Sequence, residues 1–353
     1  MDNITHSLVG ALIGQAGLKR KTGLAMPALI IGANLPDVDA ACFFWLEGEE
    51  HLGFRRGITH GPPAWVLLPL ILAAILWWFD RWQTKRGKRP EGRLPVSFKW
   101  LYMLSFIGCL SHPALDWLNV YGIRLLEPFS SQWFYGDTLF IIDVWLWALM
   151  GLATWFSLRR EKRGGDWKRP ARVAITASLA YVFANGMITG VAENQARALV
   201  EQSYKIEPTM VVGSPVPLKF WERELLWRWD EKDEDSQGAV YGDGTFTLWG
   251  DAHFNERAYD APTFRRTFDT PYDDTARLAV PAYQITNERL ESLEQQDTQL
   301  KAFLFWSRMP VILEGNCERR PRIYDQRFRD AVQAGRFTLE LPHPEWCKEL
   351  SAE

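Results

Sequence analysis

Cysteine and histidine are scarce in this chain, with four and six copies among 353 residues. So few cysteines exclude a small scaffold held together by disulfides. The chain also lacks an excess of positive charge, because 40 lysines and arginines face 43 aspartates and glutamates. A near balance of charge argues against a nucleic-acid partner. We expect buried thiols at Cys42 and Cys109, which lie in apolar segments, and leave open whether Cys317 and Cys347 form a disulfide.

Long apolar runs are missing from residues 193–353, whereas residues 1–192 contain nearly all of them. A helix needs about 20 apolar residues to cross a hydrocarbon core of ~30 Å. Ile4–Leu18 is short, and Leu24–Leu46 is interrupted by proline and aspartate, so both predict partial or broken helices. The clearest predicted spans are Ala64–Phe79, Phe98–Trp117, Thr138–Leu158 and Val173–Ala192. The pattern predicts an α-helical membrane domain with about five to six spans or partial spans, followed by a soluble domain.

Basic residues are concentrated in alternate loops of the first half. Three lie in residues 19–21, six in 81–93 and seven in 159–172, whereas residues 118–137 contain one. Positively charged loops stay in the cytoplasm. We therefore expect a multi-pass membrane protein with residues 193–353 on the outer side of the membrane, which in a Gram-negative cell is the periplasm.

The second half is punctuated by glycine, proline and aspartate, which is typical of short strands joined by turns. After a helical continuation over 193–203, we expect an exported, mainly β or α+β domain. The predicted apolar runs are Thr209–Val212, Ala239–Tyr241, Thr245–Trp249, Ala302–Trp306, Val311–Leu313 and Phe337–Leu341. Six tryptophans are expected to fill its core, with a carbohydrate- or lipid-contacting face as the alternative; they are Trp221, Trp227, Trp229, Trp249, Trp306 and Trp346.

Six side chains of types that bind metals occur within or beside the apolar segments. They are His6, Asp37, Asp39, His60, His112 and Asp116. An ionisable group at membrane depth is costly unless it is paired, coordinated or hydrated. The charge pattern brings all six, from four different segments, to the outer end of the membrane domain. We therefore predict one metal site near the outer leaflet, with these six residues as ligands.

Short sequence motifs predict how these side chains are oriented. His112 and Asp116 are spaced i and i+4, so they share one helical face, and Pro113 between them suggests a kink or helix start that exposes the histidine. In the stretch Asn34–Asp39, Pro36 favours an extended backbone with both carboxylates on one side. Arg55 and Arg56 precede His60 and offer a guanidinium fork for an anion; Arg56, nearer to the histidine, is predicted as the anion contact.

Asp137 and Asp143 occur at the start of the next apolar segment. Either could be a ligand, a partner to a ligating histidine or a general base, so we predict catalytic roles for both acids together with Arg56. Capping or interfacial acids remain the alternative for both positions.

The combined motifs resemble the bacterial inner-membrane, metal-dependent hydrolase family of the YdjM type. The matching stretches are Thr5–Gly10 (THxxxG), Asn34–Asp39 (NLPDxD), Arg56–His60 (RGxTH), Ser111–Asp116 (SHxxxD) and Gly136–Phe140 (GDTLF). The resemblance implies a hydrolase that uses the six residues named above as ligands. That family's pattern is in turn similar to zinc-dependent phospholipase C and related nucleases, which hydrolyse phosphoesters. This chain lacks a second HxxxE/D pair of their type, which argues against a third metal.

Together these features predict a membrane-bound, metal-dependent hydrolase. One or two divalent ions, Zn²⁺ by preference with Mn²⁺ or Mg²⁺ also suitable, would activate water. A phosphoester in membrane lipid or a lipid-linked substrate is expected from the depth of the site. The alternative is a non-catalytic membrane protein, either a metal-ion conduit or a scaffold that presents the exported domain.

Overall fold

The chain forms two compact units. A computed structural model describes residues 1–230, 239–250, 252–254, 287–313, 320–328 and 337–343. The first unit, here called the helical unit, comprises Met1–Ala41, Arg55–Thr189 and Pro215–Trp221. The second, the C-terminal unit, comprises Cys42–Phe54, Gly190–Ser214 and the described part of Glu222–Glu353. The predicted domain boundary between residues 192 and 193 lies within a continuous helix, Lys168–Tyr204.

Helices account for most of the first 204 residues. They are α1 (Asn3–Gln15), α2 (Ala25–Asn34), α3 (Glu50–Phe54), α4 (Pro62–Lys85), α5 (Phe98–Trp117), α6 (Val144–Lys162) and α7 (Lys168–Tyr204). Within the part of the chain that the structure describes, three helices are long and apolar enough to cross a membrane: Ala25–Phe44, Pro62–Lys85 and Lys168–Tyr204. The first of these is α2 continued by a 3₁₀ helix, Leu35–Phe44.

Two local predictions about this region are corrected. The stretch that contains Asp37 and Asp39 is a 3₁₀ helix rather than an extended segment, because the φ angle that proline imposes also suits that helix. The predicted span from Thr138 begins as a helix only at Val144. The Asp143 carboxylate accepts a hydrogen bond from the Leu146 backbone N–H and caps the helix there.

Helix α2 lies between α1 and α5, and glycines allow the close approach. A Cβ atom added to Gly10 would lie 2.7 Å from the Leu29 carbonyl oxygen, and one added to Gly108 would lie 2.6 Å from the same oxygen. Ala28 and Leu29 are fully buried in this contact. The absence of a side chain at Gly10 and Gly108 therefore lets the backbone of α2 pack directly against α1 and α5.

Substitution of Gly108 by alanine should destabilise the helical unit by about 1–3 kcal/mol, because the methyl group has no room against α2. Gly151→Ala is the matched control, since its Cβ would meet no atom within 4 Å. Alanine in that open helical position should be neutral or stabilising by up to about 1 kcal/mol. Thermal unfolding in detergent measures both; equal midpoints for the two variants would contradict the packing described here.

The C-terminal unit contains antiparallel sheets, as predicted. One sheet has the order β1-β2-β3-β4 and the other β5-β6-β7. The strands are β1 (Met210–Val216), β2 (Lys219–Asp230), β3 (Ala239–Thr247), β4 (His253–Phe254), β5 (Pro310–Leu313), β6 (Arg322–Asp325) and β7 (Thr338–Glu340), and the helices are α8 (Asn287–Gln296) and α9 (Thr298–Trp306). The chain is therefore a helical N-terminal region followed by a C-terminal region with antiparallel sheets.

Some predictions for this unit are wrong in detail. The run Ala302–Trp306 is part of helix α9, which Asp297 caps by accepting from two backbone N–H groups. Trp227 and Trp306 are buried as expected, but Trp249 is 75% exposed. Trp346, Cys317 and Cys347 lie outside the described residues, whereas Cys42 and Cys109 are buried thiols, as predicted.

Candidate metal centre

Four of the six predicted ligands converge in the helical unit. Asp37, His60, His112 and Asp116 each offer one ligand atom, and these atoms all lie within 4.8 Å of one another. Asp37 comes from the 3₁₀ helix after α2 and His60 from a short 3₁₀ helix, Ile58–His60, before α4. His112 and Asp116 lie one turn apart on α5, as their spacing predicts.

His112 is oriented by the backbone of α2. Its Nδ1 lies 2.7 Å from the Ala33 carbonyl oxygen, which can only accept, so Nδ1 carries the proton and Nε2 carries the lone pair. That Nε2 lies 3.5 Å from Asp116 Oδ2 and 3.7 Å from Asp37 Oδ1. Pro113 lies inside α5 and His112 is fully buried, so the predicted exposure of this histidine is wrong.

His60 is oriented by a second chain of polar contacts. Its Nδ1 lies 2.9 Å from Thr59 Oγ1, and that hydroxyl donates to Asp39 Oδ2 over 3.3 Å. This leaves His60 Nε2 facing Asp116 Oδ2 at 3.7 Å. Burial, followed by repulsion from His112, holds the pKa of the His60 imidazole well below its usual value, so the ring is neutral and its lone pair is available.

Three buried atoms at the middle of the centre make no hydrogen bond with any described residue. They are His60 Nε2, His112 Nε2 and Asp116 Oδ2, the last of which forms an ion pair with Arg56 Nε at 3.1 Å. Unsatisfied polar atoms of this kind cost free energy, and all three are lone-pair donors. A divalent cation would satisfy them together, and two imidazoles with two carboxylates match the ligands that transition metals prefer. The residues present therefore fit a metal ion.

The other two predicted ligands flank this group. The His6 ring stacks on the His112 ring with centroids 3.8 Å apart, and its Nε2 lies 3.3 Å from Asp116 Oδ1. The amino group of Met1 also contacts Asp116 Oδ1. Asp39 accepts hydrogen bonds from the Arg56 backbone N–H at 2.8 Å and from Thr59. Asp39 thus supports His60 through the Thr59 hydroxyl.

The two arginines of the centre make different contacts. Arg56 extends its Nε to 3.1 Å from Asp116 Oδ2, while its Nη1 donates to Asn119 Oδ1 and to the Gly122 carbonyl, each over 3.1 Å. Arg55 instead donates from Nη2 to Asp37 Oδ1 over 3.1 Å. The predicted anion contact, Arg56, therefore directs its guanidinium towards groups of the protein.

The two further acids lie beyond the end of α5. Asp143 caps α6 and also accepts from the Tyr181 hydroxyl over 3.0 Å. Asp137 is buried, with φ at 45°, and its carbonyl oxygen accepts from Thr189 Oγ1 over 2.8 Å. The following residue, Thr138, donates its backbone N–H to the Leu118 carbonyl over 2.8 Å, which ties this segment to the end of α5.

Sequence reasoning did not find Asn119, Thr59 or the Ala33 carbonyl as parts of the centre. Asn119 follows Asp116 by three residues, just after the end of α5, so its closeness to a predicted ligand in the chain was a usable signal. Thr59 stands beside His60 in the motif and could have been found as a hydroxyl next to a ligand. The Ala33 carbonyl has no side-chain signal, because any residue at that position supplies the same oxygen.

Comparisons with known proteins identify the family of the first half of the chain. Residues 1–192 match the family described as YdjM inner membrane protein. The chain is also 26% identical over 167 residues to the uncharacterized protein YfhP of Bacillus subtilis (strain 168), a match that covers 44% of this chain and 47% of that protein. The chain thus spans about half the length of this curated relative. No solved structure matches.

Proposed function

This chain belongs to the YdjM inner membrane protein family, and on that premise we propose that it is a membrane-bound, metal-dependent hydrolase of phosphoesters in lipid or lipid-linked substrates. The observation that carries the proposal is the pair of buried imidazole Nε2 atoms on His60 and His112, which make no hydrogen bond with described residues and lie 3.7 and 3.5 Å from Asp116 Oδ2. Such a set is costly to bury unless it binds a cation.

A bound divalent ion would supply Lewis acidity and lower the pKa of a coordinated water. Asp37, His60, His112 and Asp116 would hold it, with Zn²⁺ favoured by the two imidazoles and Mn²⁺ or Mg²⁺ compatible with the carboxylates. The single group of four ligand atoms favours one ion. A second ion would draw on His6 and the Oδ1 atom of Asp116, which lie 3.3 Å apart.

The protein's own residues orient the ligands and accept the proton. Ala33 and Thr59 hold the Nδ1 atoms of His112 and His60, so both imidazoles present Nε2 to the centre. As general base we propose Asp137 or Asp143, and we prefer Asp137 for its place in the chain. Asp137 belongs to the segment tied to the end of α5, immediately after Asp116.

The location of the centre suggests the substrate class. We propose that the helical region crosses the inner membrane in about five to six spans or partial spans, with the C-terminal domain in the periplasm, because the basic loops mark the cytoplasmic side. The centre would then open at headgroup depth on the outer face. A phosphoester of a membrane lipid is the substrate that such a position would meet first.

Hydrolysis by the purified protein tests this proposal. The detergent-solubilised full chain is stripped with a chelator, then reloaded separately with Zn²⁺, Mn²⁺ or Mg²⁺ and assayed on a generic phosphodiester and on phospholipid micelles. We expect activity that the chelator removes and one of the metals restores. Stoichiometric metal binding without hydrolysis of either substrate would contradict the enzyme and favour a metal-ion conduit.

Replacement of Asp39 by asparagine tests the support that His60 receives through Thr59. Loss of an oriented partner behind a ligand typically weakens metal binding about 10- to 100-fold. We expect a decrease of that size in Zn²⁺ affinity, measured by competition with a chromophoric chelator. Asp80→Asn is a suitable control, because Asp80 is a buried acid that pairs with Arg89 and Arg93 and belongs to no predicted ligand motif. Equal loss in both variants would indicate a general effect on folding.

A further inference from the structure

We infer that Arg55 is the residue that binds an anionic phosphate group at this centre, and that Arg56 is a positioning residue that holds Asp116. The inference rests on the proposed metal-dependent function and assigns the two adjacent arginines opposite roles. Sequence spacing favours Arg56 as the anion contact, whereas burial and hydrogen bonding separate the two side chains.

Arg56 makes several contacts with buried groups of the protein. Besides the contact between its Nε and Asp116 Oδ2, its Nη1 donates both to Asn119 Oδ1 and to the Gly122 carbonyl. Asn119 Oδ1 is itself fixed by the Tyr121 backbone N–H at 2.9 Å, and the guanidinium lies 4.4 Å from the centre of the Tyr121 ring. Because its guanidinium is fixed by these contacts, Arg56 holds the Asp116 carboxylate in place.

Arg55 and Asp37 are the most accessible charged groups of the centre. Their side chains are 25% and 16% exposed, whereas those of Asp39 and Asp116 are 1% exposed and that of Arg56 is 8% exposed. A ligand that approaches from solvent therefore meets Arg55 before it meets Arg56. The planar guanidinium group matches two phosphate oxygens at once.

Arg55 also shares an oxygen with the metal-binding group. Asp37 Oδ1 accepts from Arg55 Nη2 at 3.1 Å and lies 3.7 Å from His112 Nε2. If Asp37 donated that oxygen to a cation, it would hold Arg55 less strongly, and the partly exposed guanidinium could turn part of its donors towards an anion. Arg55 keeps its second contact, Nε to Asp39 Oδ1 at 3.5 Å, which restricts its movement.

The charges of the centre favour the same ligand. Three carboxylates, of Asp37, Asp39 and Asp116, face the two guanidinium groups of Arg55 and Arg56, which leaves one negative charge in excess. A bound divalent cation would make this buried group positive overall. An anion is then needed to restore balance, since uncompensated charge is costly inside a protein.

Two matched variants, Arg55→Gln and Arg56→Gln, separate the roles. Zn²⁺ affinity and the affinity of the Zn²⁺-loaded full-length protein for inorganic phosphate and for dihexanoyl phosphatidylglycerol are measured in an uncharged detergent. We expect Arg55→Gln to bind Zn²⁺ at least as tightly as the wild type but to bind both phosphate compounds about 10- to 100-fold more weakly, because a charge-assisted hydrogen bond is lost. We expect Arg56→Gln to lose Zn²⁺ affinity about 10- to 100-fold.

Two further variants show whether a loss of binding is specific or results from a loss of folding. Asn119→Ala removes one anchor of Arg56 and should weaken Zn²⁺ binding in the same direction by a smaller factor. Arg55→Lys should recover part of the phosphate affinity, since it keeps the charge but not the fork. In the wild type, the ratio of the two phosphate affinities distinguishes a lipid headgroup from free phosphate.

The outcomes discriminate between the two proposals. A wild type that binds no Zn²⁺ contradicts the proposed function itself. A wild type that binds Zn²⁺ and phosphate, together with an Arg55→Gln variant of unchanged phosphate affinity, overturns only the role of Arg55. Loss of Zn²⁺ binding in Arg55→Gln with retention in Arg56→Gln would reverse the assignment.

Discussion

Replacement of His112 by glutamine is expected to lower Zn²⁺ affinity by at least about 100-fold, a larger effect than loss of a supporting residue. His112 is fully buried, and its Nε2 is the atom that lies near both Asp116 and Asp37. Glutamine has a similar length, but its amide is a poor substitute for an imidazole held by the Ala33 carbonyl. The variant therefore removes a ligand without opening a large cavity.

Metal content after dialysis, and competition with a chelator, measure this effect on the detergent-solubilised protein. His51→Gln is the control, because His51 lies in α3, in the C-terminal unit, and its Nδ1 contacts the Gly48 carbonyl. We expect that variant to keep wild-type affinity. If His112→Gln retained full metal content, the four-residue group would not be the metal site.

Replacement of Asp325 by asparagine is expected to destabilise the C-terminal unit by about 3–5 kcal/mol, the cost of leaving a buried charge without its partner. The Asp325 carboxylate is fully buried. It accepts from Ser307 Oγ at 2.6 Å, from the backbone N–H of Arg308 at 2.9 Å, and from Arg327 Nε and Nη2, each at 2.8 Å. Asparagine keeps the shape but leaves the buried Arg327 guanidinium uncompensated.

Hydrogen exchange of strands β5 and β6, measured by mass spectrometry on the full-length protein, reports this loss locally. Asp230→Asn is the control, because Asp230 pairs with Arg228 on the surface and its side chain is 42% exposed. That substitution should change stability by less than about 0.5 kcal/mol. Equal protection of β5 and β6 in Asp325→Asn and in the wild type would contradict the importance of this buried pair.

The same pair predicts how stability depends on pH. Burial alone raises the pKa of the Asp325 carboxyl, but the Arg327 guanidinium and the surrounding donors outweigh it, so this pKa lies below its usual value. A carboxyl group whose pKa is lower in the folded state stabilises the fold above its unfolded pKa of about 4, and this contribution is lost as pH falls towards the folded pKa. The wild type should lose protection in β5 and β6 below about pH 4, and Asp325→Asn should show less of this dependence.

The spacing of the histidines and aspartates, together with their apolar surroundings, was sufficient to identify the residues that could bind a metal. His112 and Asp116 are one helical turn apart, and any α-helix places them on one face. The apolar flanks of Asp37 made an unpaired carboxylate there improbable on energetic grounds. The glycines that let α1 and α5 approach α2 were partly visible too, because Gly10 precedes Gly14 by four residues.

Other features depend on contacts between residues that are distant in the chain. The backbone of Ala33 selects the tautomer of His112 across 79 positions. In the sequence, Asp143 is an acid beside an apolar run, whereas in the structure it caps α6. The sequence did not predict this role because it did not show at which residue the helix begins. The composition of the run Ala302–Trp306 predicts a strand. The Asp297 cap and the burial of Phe303 and Trp306 favour a helix instead.

By itself, the sequence determined the family, the helical first half and the identity of the residues that could bind a metal, because these depend on composition and short-range spacing. Only the tertiary structure decided which four of those residues meet and what Arg55 and Arg56 each contact. Adjacent arginines share the same local sequence, and their roles differ only because folding buries one against Asn119 and leaves the other partly open beside Asp37.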